Sequence, residues 1–479
     1  MTRILYFFIT FSILLSGGNL TAQQAAVDNF VRTKGLQSAS IGINVIDLTT
    51  GKSVASYNKN KSLIPASVMK LLTTSTALEL YGPDHQIPTL LQYAGEIDST
   101  GVLWGDVYIK GGGDPTLGSE HINRNKNDFF TECVSAVVRA GIKKINGRII
   151  ADETCFDFEG ISFKWLWEDL GIYYGAGSYG ISIYDNTYRL FIRTEMPGSK
   201  PQILKTEPNM DDIVFLNYLE TADGIEDDSY ICGIPYSYER WLSGSVPANK
   251  PEFIIKGSIP DPPHYAAVCL HNALTEAGVS ISDLPTTCRI LNLQNREPAE
   301  NRTLLHTYYS SSMSDMIRQT NVPSNNHYAE HLFKLSALSK NAQSSFKKGT
   351  DFVLSFWKDK GLDSAGLFLY DGSGLSPSNR LTPQFVTDIL RYMSNKSRYA
   401  DKFYASLPIA GKEGTVRSFL KETKTEIRLK SGSISGVQCY AGYFDKNGKR
   451  YAFCVMVNNF ENSRQALRKA MEEMIGKWW

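Results

Sequence analysis

The sequence predicts an α+β protein: an antiparallel sheet covered by helices, assembled from both ends of the chain and interrupted by a large β-rich insertion of one or two nested domains. Three observations lead there. Hairpin signals with adjoining helices stand near each terminus. About 250 residues between Lys70 and Ser324 show mostly strand-like periodicity and carry no reactive motif. The chain has 479 residues, 42% hydrophobic and 21% charged, which suits on the order of two to four domains with a sizeable core.

Taken in order, the first residues read as a secretory signal. Arg3 supplies the positive end, residues 4–15 an apolar core, and small residues follow, which places cleavage after Ala22 and before Gln23. A core of about a dozen residues is short for a membrane span, and an uncleaved anchor is the competing reading. No cysteine lies near the cleavage site, which argues against a lipoprotein anchor. The expected location is therefore exported and periplasmic. Residues 39–48 read as a strand that Thr49-Thr50-Gly51-Lys52 turns back into residues 53–57. An apolar helix follows from Ser67. Strand patterns recur in the insertion at residues 102–109, 149–152 and 181–192, and residues 205–228 and 247–263 read as loops or nested-domain joins. Residues 439–444 and 451–457 flank Asp445-Lys446-Asn447-Gly448, a strong hairpin signal, and a last helix covers residues 463–478. The expected division is a signal over residues 1–22, a first part of the sheet-and-helix domain over 23–95, an insertion over 96–299 with a nested domain at about 190–270, and a second part over 300–479.

Chemistry concentrates at the start of the first long helix. Ser67-Val-Met-Lys70 opens its apolar run, and positions i and i+3 share a helical face, so hydroxyl and amine can meet. The partial positive charge of a helix N-terminus disfavours the ammonium form of Lys70, and a neutral amine can take the Ser67 proton. That points to covalent acyl transfer. The tetrad alone is weak evidence, because on the order of two such matches arise by chance in a chain this long. The competing reading of the tetrad alone is a helix cap with Lys70 on a solvated face.

Two later motifs decide between them. Ser324-Asn325-Asn326 is a Ser-x-Asn, and Lys430-Ser431-Gly432, followed by Ser433, is the chain's only Lys-Ser/Thr-Gly. In that order the three motifs mark serine β-lactamases and penicillin-binding proteins. Ser324 can relay a proton near Lys70, and the Asn326 amide can donate to and accept from a substrate peptide bond. Lys430 offers a cation for a carboxylate. The segment from Lys430 reads as an edge strand able to pair with an extended peptide. The backbone N–H groups of Ser67 and Ser433 are the expected oxyanion donors.

Other patterns carry less. Lys and Arg number 50 against 49 Asp and Glu, a net charge of +1 that gives no hint of nucleic-acid binding. The seven cysteines form no Cys-x-x-Cys; Cys439 and Cys454 read as small buried hydrophobes, and Cys269 with Cys288 is one conceivable pair. His327-Tyr328-Ala329-Glu330-His331 fits a zinc-protease pattern without a convincing third ligand, so a packed helix is preferred. Gly111-Gly-Gly-Asp114 lacks phosphate-loop spacing and reads as a tight turn ordered by Asp114. Trp165, Trp167, Tyr173 and Tyr174 could stack on sugars, but packing is the preferred reading.

With its motifs placed, the chain resembles the low-molecular-mass class C penicillin-binding proteins, the D-alanyl-D-alanine carboxypeptidase/endopeptidase family. Beyond the three motifs, the resemblance rests on Tyr108-Ile-Lys-Gly-Gly-Gly-Asp114-Pro-Thr-Leu117, Trp165-Leu-Trp167, Tyr174-Gly-Ala176 with Asp185-Asn186, Asp371-Gly-Ser-Gly-Leu-Ser376, and Leu407-Pro-Ile-Ala-Gly411 with Gly414-Thr415. It implies a β-lactamase/transpeptidase-like domain split by the insertion. It implies Ser67 as nucleophile, Lys70 as base, Ser324 as proton relay, and Asn326, Lys430, Ser431, Gly432 and Ser433 as substrate contacts, with no metal and no cofactor. The partners it implies are peptidoglycan stem peptides and, as covalent inhibitors, β-lactams. Peripheral membrane association is compatible with it, and the sequence carries no signal for oligomeric state. In the family an inserted-region aspartate and an arginine after Asp-Gly-Ser-Gly-Leu-Ser read the peptide side chain. Asp152 is the expected aspartate. Pro377 stands where the arginine is often found, with Arg380 close behind. A β-lactamase or esterase, and a non-catalytic wall-binding scaffold, are the alternatives.

Overall fold

The structure is a computed structural model that describes residues 22–122 and 125–478. The expected signal lies outside the described residues except for Ala22, which opens the helix Ala22–Phe30. No helix among the described residues is long and apolar enough to cross a membrane.

One sheet is built from both chain ends, as expected. Its strands run in the order Ile427–Ile434, Val437–Lys446, Lys449–Asn458, Ser40–Asp47, Ser53–Tyr57, and every neighbour is antiparallel. The hairpin after Lys446 closes through Asn447 and Gly448, both left-handed at φ 51° and 74°, as a tight primed turn demands. Both faces are covered, so the strands alternate between two apolar layers. Ile41, Ile43, Val45, Val455 and Val457 face the helices Ala22–Phe30 and Arg464–Ile475. Cys439, Ala441, Cys454 and Met456 face the other side, where the helices Met69–Tyr81 and Pro383–Asn395 pack.

The helix Met69–Tyr81 is buried from Met69 to Leu78. A helix apolar all round belongs in a core. Its buried hydroxyls are satisfied locally: Thr74 and Thr76 donate to the carbonyls of Lys70 and Leu72 at 2.7 Å.

The insertion has its own sheet of seven strands, with Pro88–Ile97 leaving the first domain and Thr303–Tyr309 returning beside it, antiparallel. The expected break at 95/96 falls within the leaving strand, and that at 299/300 falls just ahead of the returning one. Helices Asp128–Arg139 and Pro262–Glu276 cover one face of this sheet, which strand-like periodicity alone did not predict. Residues 187–258 form three smaller sheets around a separate core containing Leu190, Leu242 and Val246. All seven cysteines are unpaired, Cys269 and Cys288 included.

Candidate active site

Ser67 occupies the single 3₁₀ turn Ala66–Val68 that leads into Met69–Tyr81. Lys70, one turn on, is fully buried. Its Nζ donates to Ser67 Oγ at 3.0 Å, Asn326 Oδ1 at 2.7 Å and the Ser373 carbonyl at 2.8 Å. Burial pushes the Lys70 amine down to about 7, and the nearby Glu330 and Asp371 carboxylates hold it from falling further. At that value the neutral and charged forms coexist near neutral pH, as a general base requires.

Ser324, Asn325 and Asn326 do three different things in three consecutive positions. Ser324 sits at φ 66°, a left-handed kink that joins the helix Met313–Asn321 to the helix Asn326–Leu338. Asn325 caps the second helix by accepting from the Tyr328 N–H. Asn326 presents Oδ1 to Lys70 and donates from Nδ2 to the Tyr174 carbonyl at 2.9 Å. Ser324 Oγ meets Lys430 rather than Lys70: Lys430 Nζ donates to it at 2.8 Å and to the Ser431 carbonyl at 2.8 Å. Both partners are neutral oxygens. Burial, with the charge of Lys70 adding to it, pushes the Lys430 amine well below its ordinary value. This disfavours, without a bound anion, the ammonium that the sequence reading offers to a carboxylate.

Lys430 lies on the strand Ile427–Ile434, which is the open edge of the sheet. The start of that edge is covered, because Leu429 N–H donates to the Pro408 carbonyl and Ala410 N–H to the Ile427 carbonyl. Ser431 Oγ shares a 2.7 Å hydrogen bond with Thr415 Oγ1. Gly432 has a steric reason: a Cβ there would stand 2.6 Å from the Pro65 carbonyl oxygen and 3.0 Å from the Ser67 nitrogen. Only glycine lets the strand press against the nucleophile turn. Ser67, Ser324, Asn326 and Ser433 then share one cleft of about 400 Å³.

A loop beneath the cleft does work that the sequence reading assigned to no residue. Glu330 accepts from the N–H groups of Gly372 and Ser373 at 2.8 and 2.9 Å, which aims the Ser373 carbonyl at Lys70. Asp371 accepts from Gly374 N–H, Ser376 N–H, Asn379 Nδ2 and Trp165 Nε1. Gly374 at φ 82° lies against the Ala66 carbonyl. Burial and the neighbouring Asp371 push the Glu330 carboxyl up to about 8. Glu330 is the acid of the His-x-x-Glu-His pattern, so its signal was visible but pointed elsewhere. The histidines serve packing and local bonding: His331 bonds Ser182 Oγ at 2.8 Å, and His327 Nδ1 bonds the Gly177 carbonyl.

Asp152 is not brought to this cleft. It is buried, one oxygen accepting from Thr154 Oγ1 and the other paired with Arg302 at 2.6 Å. The inserted-region carboxylates that do line the cleft are Glu168 and Asp169, beside Leu166, Tyr174 and Pro377. Arg380 turns its guanidinium onto the Pro377 and Asn379 carbonyls. Trp165 packs against Asp371 as preferred, but Trp167 and Tyr173 are exposed.

The profile of the D-Ala-D-Ala carboxypeptidase 3 (S13) family matches residues 23–477. The chain belongs to that family. S13 relatives extend over most of its length. The D-alanyl-D-alanine carboxypeptidase of Actinomadura sp. (strain R39) is 27% identical over 458 residues, 93% of this chain and 82% of the relative. The D-alanyl-D-alanine carboxypeptidase DacB of Haemophilus influenzae is 23% identical over 435 residues, 88% of this chain and 86% of that one. The crystal structure of penicillin binding protein 4 (dacB) from Haemophilus influenzae superposes with a TM-score of 0.79 at 22% identity, covering 94% of this chain and 98% of that one. The S13 chain is thus a serine-type D-Ala-D-Ala carboxypeptidase with the fold of that penicillin-binding protein.

Proposed function

We propose that Ser67 carries the reaction as an acyl-enzyme on peptidoglycan stem peptides. Ser67 Oγ attacks the carbonyl carbon of the penultimate D-alanine while its proton passes to neutral Lys70 Nζ. The N–H groups of Ser67 and Ser433 receive the oxyanion. The C–N bond breaks as the proton held on Lys70 Nζ is returned to the leaving amine, with Ser324, whose hydroxyl is held by Lys430, as the relay. Water then releases the acyl group. A cross-linked leaving amine would make the same chemistry endopeptidase cleavage.

The open edge at residues 430–434 suits an extended peptide, and Asn326 suits its amide. The terminal carboxylate of the substrate would supply Lys430 with the counter-charge it lacks, so binding would charge it. Among inserted-region acids Asp169 is favoured over Asp152 as the reader of the peptide side chain, since it faces the cleft. A Haemophilus influenzae penicillin binding protein 4 structure complexed with a β-lactam, at TM-score 0.73 and 21% identity, supports β-lactams as covalent inhibitors here. Export with cleavage after Ala22 is part of this reading.

The observation that carries the reading is the 3.0 Å contact between Ser67 Oγ and an amine poised near neutrality. Labelled penicillin should form a persistent adduct with the protein and none with Ser67→Ala. Equal labelling of both would remove Ser67 from its role.

A further inference from the structure

We infer that an exposed tryptophan pair beside the cleft, Trp167 with Trp241, binds the glycan to which the stem peptide is joined. The inference rests on the stem-peptide reading above and extends it to the carbohydrate.

Trp167 is 58% exposed and Trp241 50% exposed. Single exposed apolar side chains are ordinary, whereas adjoining ones rimmed by polar residues can mark an interaction site. Their rings meet edge to face, with centroids 6.4 Å apart and planes at 71°. Trp241 projects from the outer face of the strand Glu239–Ser243, whose alternate residues Arg240 and Leu242 point inward. Tyr230, paired with Ser243 on the same face, is 41% exposed. Two tryptophans from segments far apart in sequence thus form one aromatic corner at the junction of the insertion and its nested sheets.

Its position says what would occupy it. Trp167 opens the 3₁₀ turn Trp167–Asp169, and its neighbours Leu166, Glu168 and Asp169 line the Ser67 cleft. A peptide pairing antiparallel with residues 430–434 runs its amino-terminal end toward Ile434 and Ser435, which share that cleft with Glu168 and Asp169. The amino-terminal end is the end that bears the sugar. A few extended residues at about 3.3 Å each span on the order of ten ångströms, enough to bring the sugar out of the cleft mouth. An indole face suits the C–H face of a pyranose, and the carboxylates of Glu168 and Glu239 at the rim can accept from its hydroxyl and acetamido N–H groups. The carboxylates of Glu168 and Glu239 at this rim would repel an anionic lipid surface.

The first test is binding without turnover. In the Ser67→Ala protein, the β-1,4-linked tetramer of N-acetylglucosamine should quench tryptophan fluorescence in a saturable titration. Adding Trp167→Ala and Trp241→Ala should abolish binding measured by calorimetry. The second test is kinetic. The intact enzyme should show a KM for disaccharide-linked pentapeptide roughly tenfold below that for free pentapeptide, the effect of about 1.4 kcal/mol. The double tryptophan variant should lose that ratio and keep the kinetics of the free peptide. Equal KM values in the intact enzyme, or saccharide binding unchanged in the double variant, would overturn the inference. Concentration-dependent dimerisation that vanishes in the double variant, with no saccharide bound, would also overturn it and give the face to a second copy. Tryptophan-dependent saccharide binding by a protein that hydrolyses neither peptide would sink the stem-peptide reading and leave the glycan site standing.

Discussion

Lys70 and Lys430 stand at the two walls of one cleft, and both are fully buried. Each touches a serine hydroxyl, Ser67 and Ser324, at nearly the same distance. They differ in what stands behind them. Lys70 has Glu330 and Asp371 nearby, and its amine settles at about 7. Lys430 has carbonyl and hydroxyl oxygens, and its amine is driven well down. Equal burial with unequal charge behind it gives one lysine whose proton affinity lies near neutral pH and one whose ammonium has no acid to hold it. The Ser-x-x-Lys and Lys-Ser-Gly motifs name the residues; burial lowers both amines, and only Lys70 has acids behind it to hold its proton affinity up.

The largest effect should come from Lys70→Met, with D-alanine release falling on the order of 10³- to 10⁴-fold in kcat. Lys430→Met should act mainly on KM for peptides ending in a free carboxylate. Parallel losses in kcat would erase the distinction between the two lysines. Next comes Gly432→Ala, which forces the edge strand off the Ser67 turn. A displacement of that kind should cost about 10²-fold in penicillin acylation rate with little change in circular dichroism. Glu330→Gln tests the acid directly. Lys70 must be neutral to accept the Ser67 proton, so acylation should rise with pH through about 7 and then level. Whatever fraction of the Glu330 carboxyl is ionised raises the proton affinity of Lys70, so Glu330→Gln should move the rising limb to lower pH. A purely structural role would lower the plateau and leave the limb in place. The smallest effect is on stability. Unfolded Lys430 binds a proton that the folded state disfavours, so its burial penalises folding below the ordinary lysine range, and the penalty fades as pH rises toward it. Lys430→Met should raise the melting midpoint at pH 7 by a few degrees, with the gain shrinking at higher pH.

What was legible in the sequence was the chemistry carried by short spacings. Ser67 and Lys70 meet because i and i+3 meet on any helix. The terminal hairpins were legible because turn residues and period-2 alternation are local. Asp152 was misplaced because its partner Arg302 lies 150 residues on, and no local pattern shows that its carboxylate is already committed. Asp169 was missed for the converse reason: its neighbours look like surface until the chain folds them over Ser67. Glu330 was given no role because the metal pattern it fits was set aside, and only the loop at Asp371 shows where its oxygens go. The helix Asp128–Arg139 was hidden by the strand-like average around it, although Phe129, Phe130, Cys133, Ala136 and Val137 fall on one helical face.

The five-stranded sheet has a consequence for how the molecule comes into being. Ser40 pairs with Asn458, so the strand Ser40–Asp47 gains its central neighbour only after almost the whole polypeptide has been made. The insertion closes on itself earlier, since its leaving and returning strands are mutual partners. Vectorial synthesis therefore completes the inserted unit first and leaves the nucleophile turn without its abutting Gly432 strand until the last segment arrives. The Ser67 cleft is therefore incomplete until the strand Ile427–Ile434, contributed by the last part of the chain, is in place.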